Sequence, residues 1–95
     1  MKQEAMNENL SVVQSTDVLV TKVDGETMMV RIKNRMYYGL DDVGSRIWEL
    51  MTTPLQVSQV IDTLMEEYDV EREKCQGNTL DLLNQLYEEG LITIA

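Results

Sequence analysis

The spacing of apolar residues changes once along this chain, close to residue 41. Before that point apolar and polar residues alternate in short runs, which is typical of half-buried β-strands. After it, apolar residues recur every three or four positions, as on the buried face of a helix, beginning with Val43, Ile47, Leu50 and Met51. The pattern therefore predicts a strand unit that is joined directly to a helical unit.

Three strands are predicted in the first unit. Val18 to Val23 is mostly β-branched or apolar, and Asp24-Gly25 after it is the signature of a two-residue type I′ hairpin. With that loop, Val23 faces Glu26 and Leu19 faces Val30. This register separates two sets of side chains onto opposite faces of the sheet: Leu19, Val23, Met28, Val30 and Ile32 on one, and Lys22, Thr27, Met29 and Arg31 on the other.

The second turn decides which residues of the third strand are buried. A three-residue loop, Lys33-Asn34-Arg35, would place Tyr38 and Leu40 on the core face, whereas a two-residue loop would place Tyr37 there. We predict the three-residue loop, because Leu40 leads directly into the first helix and should be buried. The result is a three-stranded antiparallel meander in which Met36 to Leu40 keeps an unpaired edge.

Three helices are predicted in the second unit. The first runs from about residue 42 to 51, with Asp41 as its N-cap. It stops before Pro54, because the residue that precedes a proline avoids helical geometry. Ser58 is predicted to cap the second helix, and the third helix runs from about residue 71 to 89. The predicted fold class is α+β, a three-stranded meander followed by three helices in a winged-helix-like order.

Three glycines mark special positions in these helices. Gly44 and Gly77 lie inside the first and third helices, where each costs about 1 kcal/mol relative to alanine. Gly44 therefore indicates the close approach of another backbone, and Gly77 indicates room for a neighbour or a kink. Gly90 ends the third helix as its C′ residue, and residues 91–94 form a short terminal strand or an apolar tuck.

The length of 95 residues allows one domain with one core. Residues 1–11 are polar and without period, so we predict a flexible N-terminal tail there and a single domain over residues 12–95. No apolar run approaches the roughly 20 residues of a membrane span, and the N-terminus lacks the apolar segment of a signal peptide. We therefore expect no membrane partner and a cytoplasmic location.

Charge is divided unequally between the two units. Residues 1–40 carry five basic and five acidic side chains, whereas residues 41–95 carry three basic and twelve acidic ones, so the helical unit holds the whole net charge of −9. A winged-helix regulator would place the third helix against DNA, and that helix has five acidic residues beside Arg72 and Lys74. This charge opposes contact with phosphates. DNA binding is thus the alternative of another class, and a cationic or neutral peptide is favoured.

The residues that usually carry catalysis are scarce. The sequence has no His and a single cysteine, Cys75, so a thiol-activating base and the commonest metal ligand are both missing. The paired acids, such as Asp41-Asp42, point in different directions on a helix and do not have metal-ligand spacing. We expect a non-catalytic protein without a cofactor or a metal ion.

An exposed strand edge is predicted beside a helix with a wide apolar surface. Met36 to Leu40 forms the edge, and Leu80, Leu83 and Tyr87 form a second apolar stripe on the third helix. An edge and a groove of this kind can bind an extended peptide by strand addition. By spacing alone, a place for Leu80 and Tyr87 in the ordinary core is the favoured interpretation.

Six short motifs together resemble the PqqD-like leader-peptide-binding domains, which are also called RiPP recognition elements. The resemblance covers about residues 16–94. The motifs are Tyr38-x-Leu40-Asp41, Ile47-Trp48-Glu49-Leu50, Val60-Ile61-x-x-Leu64, Glu67-Tyr68-Asp69-Val70, Leu82-Leu83-x-x-Leu86 and Glu89-Gly90-Leu91-Ile92.

The resemblance implies a module that holds the leader of a ribosomally made precursor peptide as a fourth strand beside the third. It implies a peptide-binding site formed by Met36, Tyr37, Tyr38, Gly39 and Leu40 with Gln76, Thr79, Leu80, Leu83, Asn84 and Tyr87. The chain is most similar to stand-alone recognition proteins of lasso peptide biosynthesis, which implies a leader peptidase and a cyclase as partners. The alternative is the peptide carrier of pyrroloquinoline quinone biosynthesis.

Overall fold

The fold combines two small antiparallel sheets with three helices. The computed structural model describes residues 6–95, so the first five residues of the predicted tail lie outside the described part. In chain order the elements are β1 (Ser11–Gln14), β2 (Val18–Val23), β3 (Glu26–Arg31), β4 (Met36–Leu40), α1 (Asp42–Leu50), β5 (Leu55–Gln56), α2 (Val57–Glu67), α3 (Arg72–Glu88) and β6 (Ile92–Ile94). The predicted α+β class, with a meander followed by three helices, is confirmed.

The first hairpin of the meander has the predicted turn and register. Asp24 and Gly25 both have positive φ angles, 52° and 84°, as a type I′ turn requires. Val23 pairs with Glu26, and the pairing continues along β2 and β3 without a bulge. The three predicted strands are therefore β2, β3 and β4, in that order across the sheet.

The second turn is one residue longer than the prediction. Arg31 pairs with Met36 and Met29 pairs with Tyr38, so the loop comprises residues 32–35 and the three-residue loop is wrong. The extra residue is accommodated because Arg35 adopts a φ of 57° and its N–H donates to the carbonyl of Arg31 at 2.8 Å. The longer loop gives β4 a different set of neighbours on β3.

The buried face of the meander is the face whose residues are more polar. Thr27 and Met29 are fully buried and share this face with Leu40, which is buried as predicted. Leu19 and Ile32, from the more apolar set, are 62% and 54% exposed. We call the face with Thr27 and Met29 the inner face, and the opposite face the outer face.

The second sheet was predicted only at its C-terminal strand. Residues 91–94 contain β6, which confirms the terminal strand. β1 lies between β5 and β6, and its Val12 pairs with Leu55 on one side and with Ile94 on the other. Neither β1 nor β5 was predicted. Val12 is fully buried, so this sheet brings the N-terminal segment into the core.

α1 begins as predicted, with Asp41 as its N-cap. The Asp41 Oδ1 atom accepts a hydrogen bond from the backbone N–H of Gly44 at 2.8 Å. A Cβ atom at Gly44 would lie 3.2 Å from this oxygen and 3.2 Å from the Leu40 Cβ atom. The close approach at Gly44 is therefore made by two preceding side chains rather than by another backbone.

α2 begins by a different means, and the predicted Ser58 cap is wrong. The helix starts at Val57, and its first backbone N–H groups need acceptors because no preceding turn supplies them. The carbonyl of Leu10 accepts from Val57 at 2.9 Å, and the carbonyl of Glu8 accepts from Ser58 at 3.1 Å. These backbone carbonyls act together with a capping box, in which the Gln59 Oε1 atom accepts from the backbone N–H of Gln56 at 2.9 Å.

Both sheets and all three helices contribute to one hydrophobic core. Its fully buried members come from β1, β3, α2, α3 and the segments after α1 and α3: Val12, Met29, Met51, Val57, Val60, Ile61, Leu83 and Leu91. Within residues 6–95, none of the helices has the length and apolar character that crossing a membrane requires.

Candidate functional site

The free edge of β4 presents backbone groups that can pair with another strand. Among the strands of residues 6–95, β4 pairs with β3 alone. The two-residue hairpin makes Val23 and Glu26 a hydrogen-bonded pair, and such pairs alternate along an antiparallel ladder. Followed across β3, this alternation turns the N–H and C=O groups of Tyr37 and Gly39 away from β3. These two residues therefore offer donors and acceptors at the free edge.

A cavity of about 880 Å³ opens beside the C-terminal end of β4. At its rim, Val43 and Val70 are each more than two-fifths exposed. One wall comes from β4 and α1, and the other from α2, the segment after it and the first three turns of α3. The lining residues are Gly39, Leu40, Asp41, Val43, Gly44, Ile47, Leu64, Tyr68, Asp69, Val70, Glu71, Lys74, Cys75, Asn78, Thr79 and Leu82. We call this space the β4–α3 cavity.

The inner face of the meander is fastened to the C-terminal end of α3. Arg31 Nη1 donates to the carbonyl of Glu89 at 3.1 Å, and the hydroxyl of Tyr38 donates to the Glu89 Oε2 atom at 2.9 Å. Burial and this carboxylate raise the pKa of Tyr38 above its ordinary value. Gly90 follows with a φ of 76°, which confirms it as the C′ residue.

Ion pairs join α1 to α2 and to β2. Arg46 of α1 bonds to both carboxylate oxygens of Glu67 on α2, at 2.8 and 2.7 Å. This guanidinium holds the pKa of Glu67 below its usual range. Lys22 and, more weakly, Arg46 likewise lower the pKa of Glu49. These basic residues are engaged in pairs away from the cavity lining.

The charge of the cavity lining is negative. It contains the carboxylates of Asp41, Asp69 and Glu71 against the single ammonium group of Lys74. The remaining lining is largely apolar, with Ile47 and Leu64 both nearly fully buried. Within residues 6–95, no group of three or more His, Cys, Asp or Glu side chains is arranged to hold a metal ion. The cavity suits an apolar side chain of a bound chain.

The structure brings together part of the predicted site. Gly39, Leu40 and Thr79 line the β4–α3 cavity. Met36 and Tyr37 are exposed on β4, and Tyr37 is the most exposed of these at 74%. The edge strand of the predicted site and one residue of its helix therefore meet at one place.

The other predicted α3 residues lie elsewhere. Leu83 is fully buried in the core, and Leu80 packs partly buried against it. Gln76 donates to Glu8, and Asn84 is half-buried outside the cavity lining. Tyr87 lines a second cavity of about 610 Å³, which Arg31 also lines.

Several lining residues were not predicted as site residues, although the sequence contains a signal for some of them. Cys75, Asn78 and Leu82 lie one helical turn apart on one face of α3, beside Thr79. Val70 is an exposed apolar residue in the short segment between two helices. On α3, the cavity wall is formed by a stripe of residues that begins at Cys75, and not by the predicted stripe that begins at Gln76.

Comparisons with known proteins show a family match and similar folds. The family model of Coenzyme PQQ synthesis protein D (PqqD) matches residues 26–92. A solved structure, "TbiB1 in Complex with the TbiA(beta) Leader Peptide", aligns with a TM-score of 0.77 and 30% identity over 84% of this chain and 93% of that chain. "Lasso peptide synthetase B1 complexed with the leader peptide" aligns with a TM-score of 0.76 and 21% identity, over 86% and 96%, and supports the fold. No curated protein sequence matches the chain.

Proposed function

Because this chain belongs to the PqqD family, we propose that it recognises the leader segment of a ribosomally synthesised precursor peptide and binds it as an added strand on β4. TbiB1, which is 30% identical over most of both chains, was solved with a leader peptide. The observation that carries the proposal is the free edge at Tyr37 and Gly39 beside the β4–α3 cavity. Recognition, without catalysis, is the role we assign.

The alternation of a strand determines which leader side chains enter the cavity. Leader residues opposite Tyr37 and Gly39 form the ladder bonds, and their side chains lie on the outer face. Leader residues opposite Tyr38 and Leu40 have side chains on the inner face, which adjoins the cavity. We therefore expect an apolar leader residue opposite Leu40, with its side chain between β4 and α3.

The outer face remains uncovered when a peptide occupies the cavity. It carries exposed Leu19, Met28, Ile32 and Tyr37, and alternate side chains of the bound leader would extend it. An exposed apolar face of this kind marks an interaction surface. We propose that the leader peptidase and the cyclase of a lasso peptide pathway receive the precursor at this face.

A second candidate is the peptide carrier of pyrroloquinoline quinone biosynthesis. The description of the matching family model names coenzyme PQQ synthesis, and this favours the candidate. Both candidates bind the peptide at the same free edge of β4, and they differ in the enzyme that receives the peptide. The gene neighbourhood distinguishes them, because a short precursor beside a transglutaminase-like peptidase indicates the lasso pathway.

The peptide edge is tested with Tyr37→Pro and its matched control Tyr37→Ala. Proline removes the outward N–H at this position and is tolerated at an edge strand, whereas alanine keeps the N–H and removes only the side chain. The probe is a synthetic leader peptide of the precursor that inspection of the gene neighbourhood identifies, and calorimetry measures its affinity. We expect Tyr37→Pro to abolish binding and Tyr37→Ala to retain it.

Amide hydrogen exchange locates the bound strand independently. New protection at Tyr37 and Gly39 upon addition of the leader peptide is the expected result. Protection along Val18 to Val23 instead, with unchanged affinity in a folded Tyr37→Pro variant, would move the site to the opposite edge of the meander and overturn the proposal.

A further inference from the structure

The N-terminal segment bridges α2 and α3 through Glu8. The Glu8 carboxylate accepts hydrogen bonds from Gln76 Nε2 at 2.5 Å and from Arg72 Nη2 at 3.3 Å. The backbone carbonyl of the same residue accepts from the N–H of Ser58 at 3.1 Å. One residue therefore contacts the first turn of α2 and the first two turns of α3.

The part of α3 that Glu8 contacts also forms a wall of the β4–α3 cavity. Glu71, Lys74 and Cys75 line the cavity, and Arg72 and Gln76 lie on an adjacent face of the same two helical turns. The opposite wall belongs to β4 and α1. The width of the cavity therefore depends on where the first two turns of α3 lie relative to β4.

The N-terminal end of α3 has few other attachments. At its C-terminal end the helix is fastened to the meander through Arg31 and Tyr38. At its start, Glu71 makes no side-chain cap, and the other partner of Arg72 is Asp62 of α2. Loss of the Glu8 contact would leave this end of the cavity wall held mainly by its packing on α2.

We propose that Glu8 is a positioning residue for the leader site, because it holds the first two turns of α3 at the distance from β4 that an apolar leader side chain requires. The inference rests on the proposed function. The match to the family model begins at residue 26, so Glu8 belongs to a part of the chain that the family model does not cover. The contact is thus a property of this chain's own N-terminal segment.

The test compares the leader affinity of Glu8→Ala and Glu8→Gln with that of the unaltered chain. In Glu8→Gln the one amide oxygen can still accept from Arg72, and the Gln76 amide can turn so that its oxygen accepts from the new NH2 group. Glu8→Gln is therefore the conservative variant, which keeps the hydrogen bonds but removes the charge. We expect Glu8→Ala to weaken binding about fivefold, the upper end of what an exposed ion pair supplies, and Glu8→Gln to recover part of the loss through the retained hydrogen bonds. Lys22→Gln breaks an ion pair with Glu49 away from the cavity and should leave the affinity unchanged.

Amide exchange in the free protein supplies a second readout. Exchange at Cys75 and Thr79 should accelerate in Glu8→Ala and remain near the unaltered rate in Lys22→Gln. If Glu8→Ala does not fold, Arg72→Gln breaks the same contact from the helix side. The probe is the same synthetic leader peptide as in the Tyr37 experiment.

The outcomes separate this inference from the proposed function. Failure of the unaltered chain to bind the leader would overturn the proposed function and the inference with it. Binding by the unaltered chain together with equal affinity in folded Glu8→Ala, even at a lower melting temperature, would overturn the positioning role alone. Loss of affinity with recovery in Glu8→Gln supports it.

Discussion

The two faces of the meander carry similar side chains in opposite environments. Met29 on the inner face is fully buried, whereas Met28, its neighbour in the same strand, is 38% exposed on the outer face. The inner face also buries Thr27, a polar residue, while the outer face leaves Leu19 largely exposed. The hydrophobicity of the strand residues alone therefore does not determine which face is covered.

The attachment of α1 determines it instead. α1 follows β4 after one residue, and the Ser45 hydroxyl accepts a hydrogen bond from the Thr27 N–H at 2.9 Å. That bond anchors the helix over the inner face, so the polar face becomes part of the core. The apolar side chains of the outer face are left for another molecule.

The largest expected effect that tests this comparison comes from the pair of variants Met29→Ala and Met28→Ala. Met29 packs in the core, so its truncation should lower the free energy of unfolding by about 2–5 kcal/mol. The same change at Met28 should cost less than about 1 kcal/mol, because the side chain is partly exposed. Urea unfolding followed by circular dichroism measures both values.

Equal losses in the free energy of unfolding at the two positions would contradict the assignment of a buried inner face and an exposed outer face. They would mean that the outer face is covered in solution, for example by a second copy of the chain. Sedimentation of the unaltered protein at the concentration of the unfolding experiment distinguishes that case from a simple error in the assigned face.

Local patterns predicted the elements whose determinants are local. The Asp24-Gly25 turn fixed the first register, and Asp41 and Gly90 marked the ends of helices. Local patterns did not predict which face of the meander is buried. The position of β4, and of α1 after it, depends on one more loop residue at the second turn, where Arg35 adopts a left-handed conformation. A hydrophobic count over β2 and β3 contains no information about that loop.

Long-range contacts account for most of what the sequence did not predict. β1 has four residues and gains its partners from segments more than forty positions away, such as Leu55 and Ile94. The start of α2 likewise depends on carbonyls of the N-terminal segment rather than on Ser58. The β4 edge of the candidate site could be predicted, because it follows from the order of strands in the meander. The cavity wall on α3 could not, because it depends on the distance between that helix and β4.

The attachment of the inner face to α3 is tested next, with Gly90→Ala. Arg31 is the last inner-face residue of β3, and a Cβ atom at Gly90 would lie 2.4 Å from the Arg31 Cζ atom. The positive φ there also disfavours alanine by about 1–2 kcal/mol, so we expect a loss of at least this size in urea unfolding. Gly77→Ala is the control within the same helical unit: nothing lies within 4 Å of its Cβ position, and alanine should stabilise the helix by about 1 kcal/mol. Destabilisation by both would contradict this account.

A gain of stability is expected from Thr27→Val on the inner face. The Thr27 hydroxyl is buried and, among the described residues, has no hydrogen-bond partner. Valine has nearly the same shape without the unsatisfied oxygen, so the free energy of unfolding should rise by about 1 kcal/mol. The backbone N–H that donates to Ser45 is retained. A loss of stability in this variant would indicate that the hydroxyl does have a partner in solution.

The smallest effect expected is an acid dependence from the ion pair at the margin of the inner face. Lys22 of β2 pairs with Glu49 of α1, and this contact lowers the pKa of Glu49 below its ordinary value of 4.5. A carboxyl with a lowered folded-state pKa contributes stability above its unfolded-state pKa and loses that contribution as the pH falls through the folded-state value. Stability should therefore fall below about pH 4.5, and Lys22→Gln should show a smaller fall than the unaltered chain. Urea midpoints at pH 7 and at about pH 3 measure this difference, which is expected to be small because the pair is exposed. An identical acid dependence in both proteins would assign the effect to other carboxylates, such as Glu67, whose pKa is lowered by Arg46.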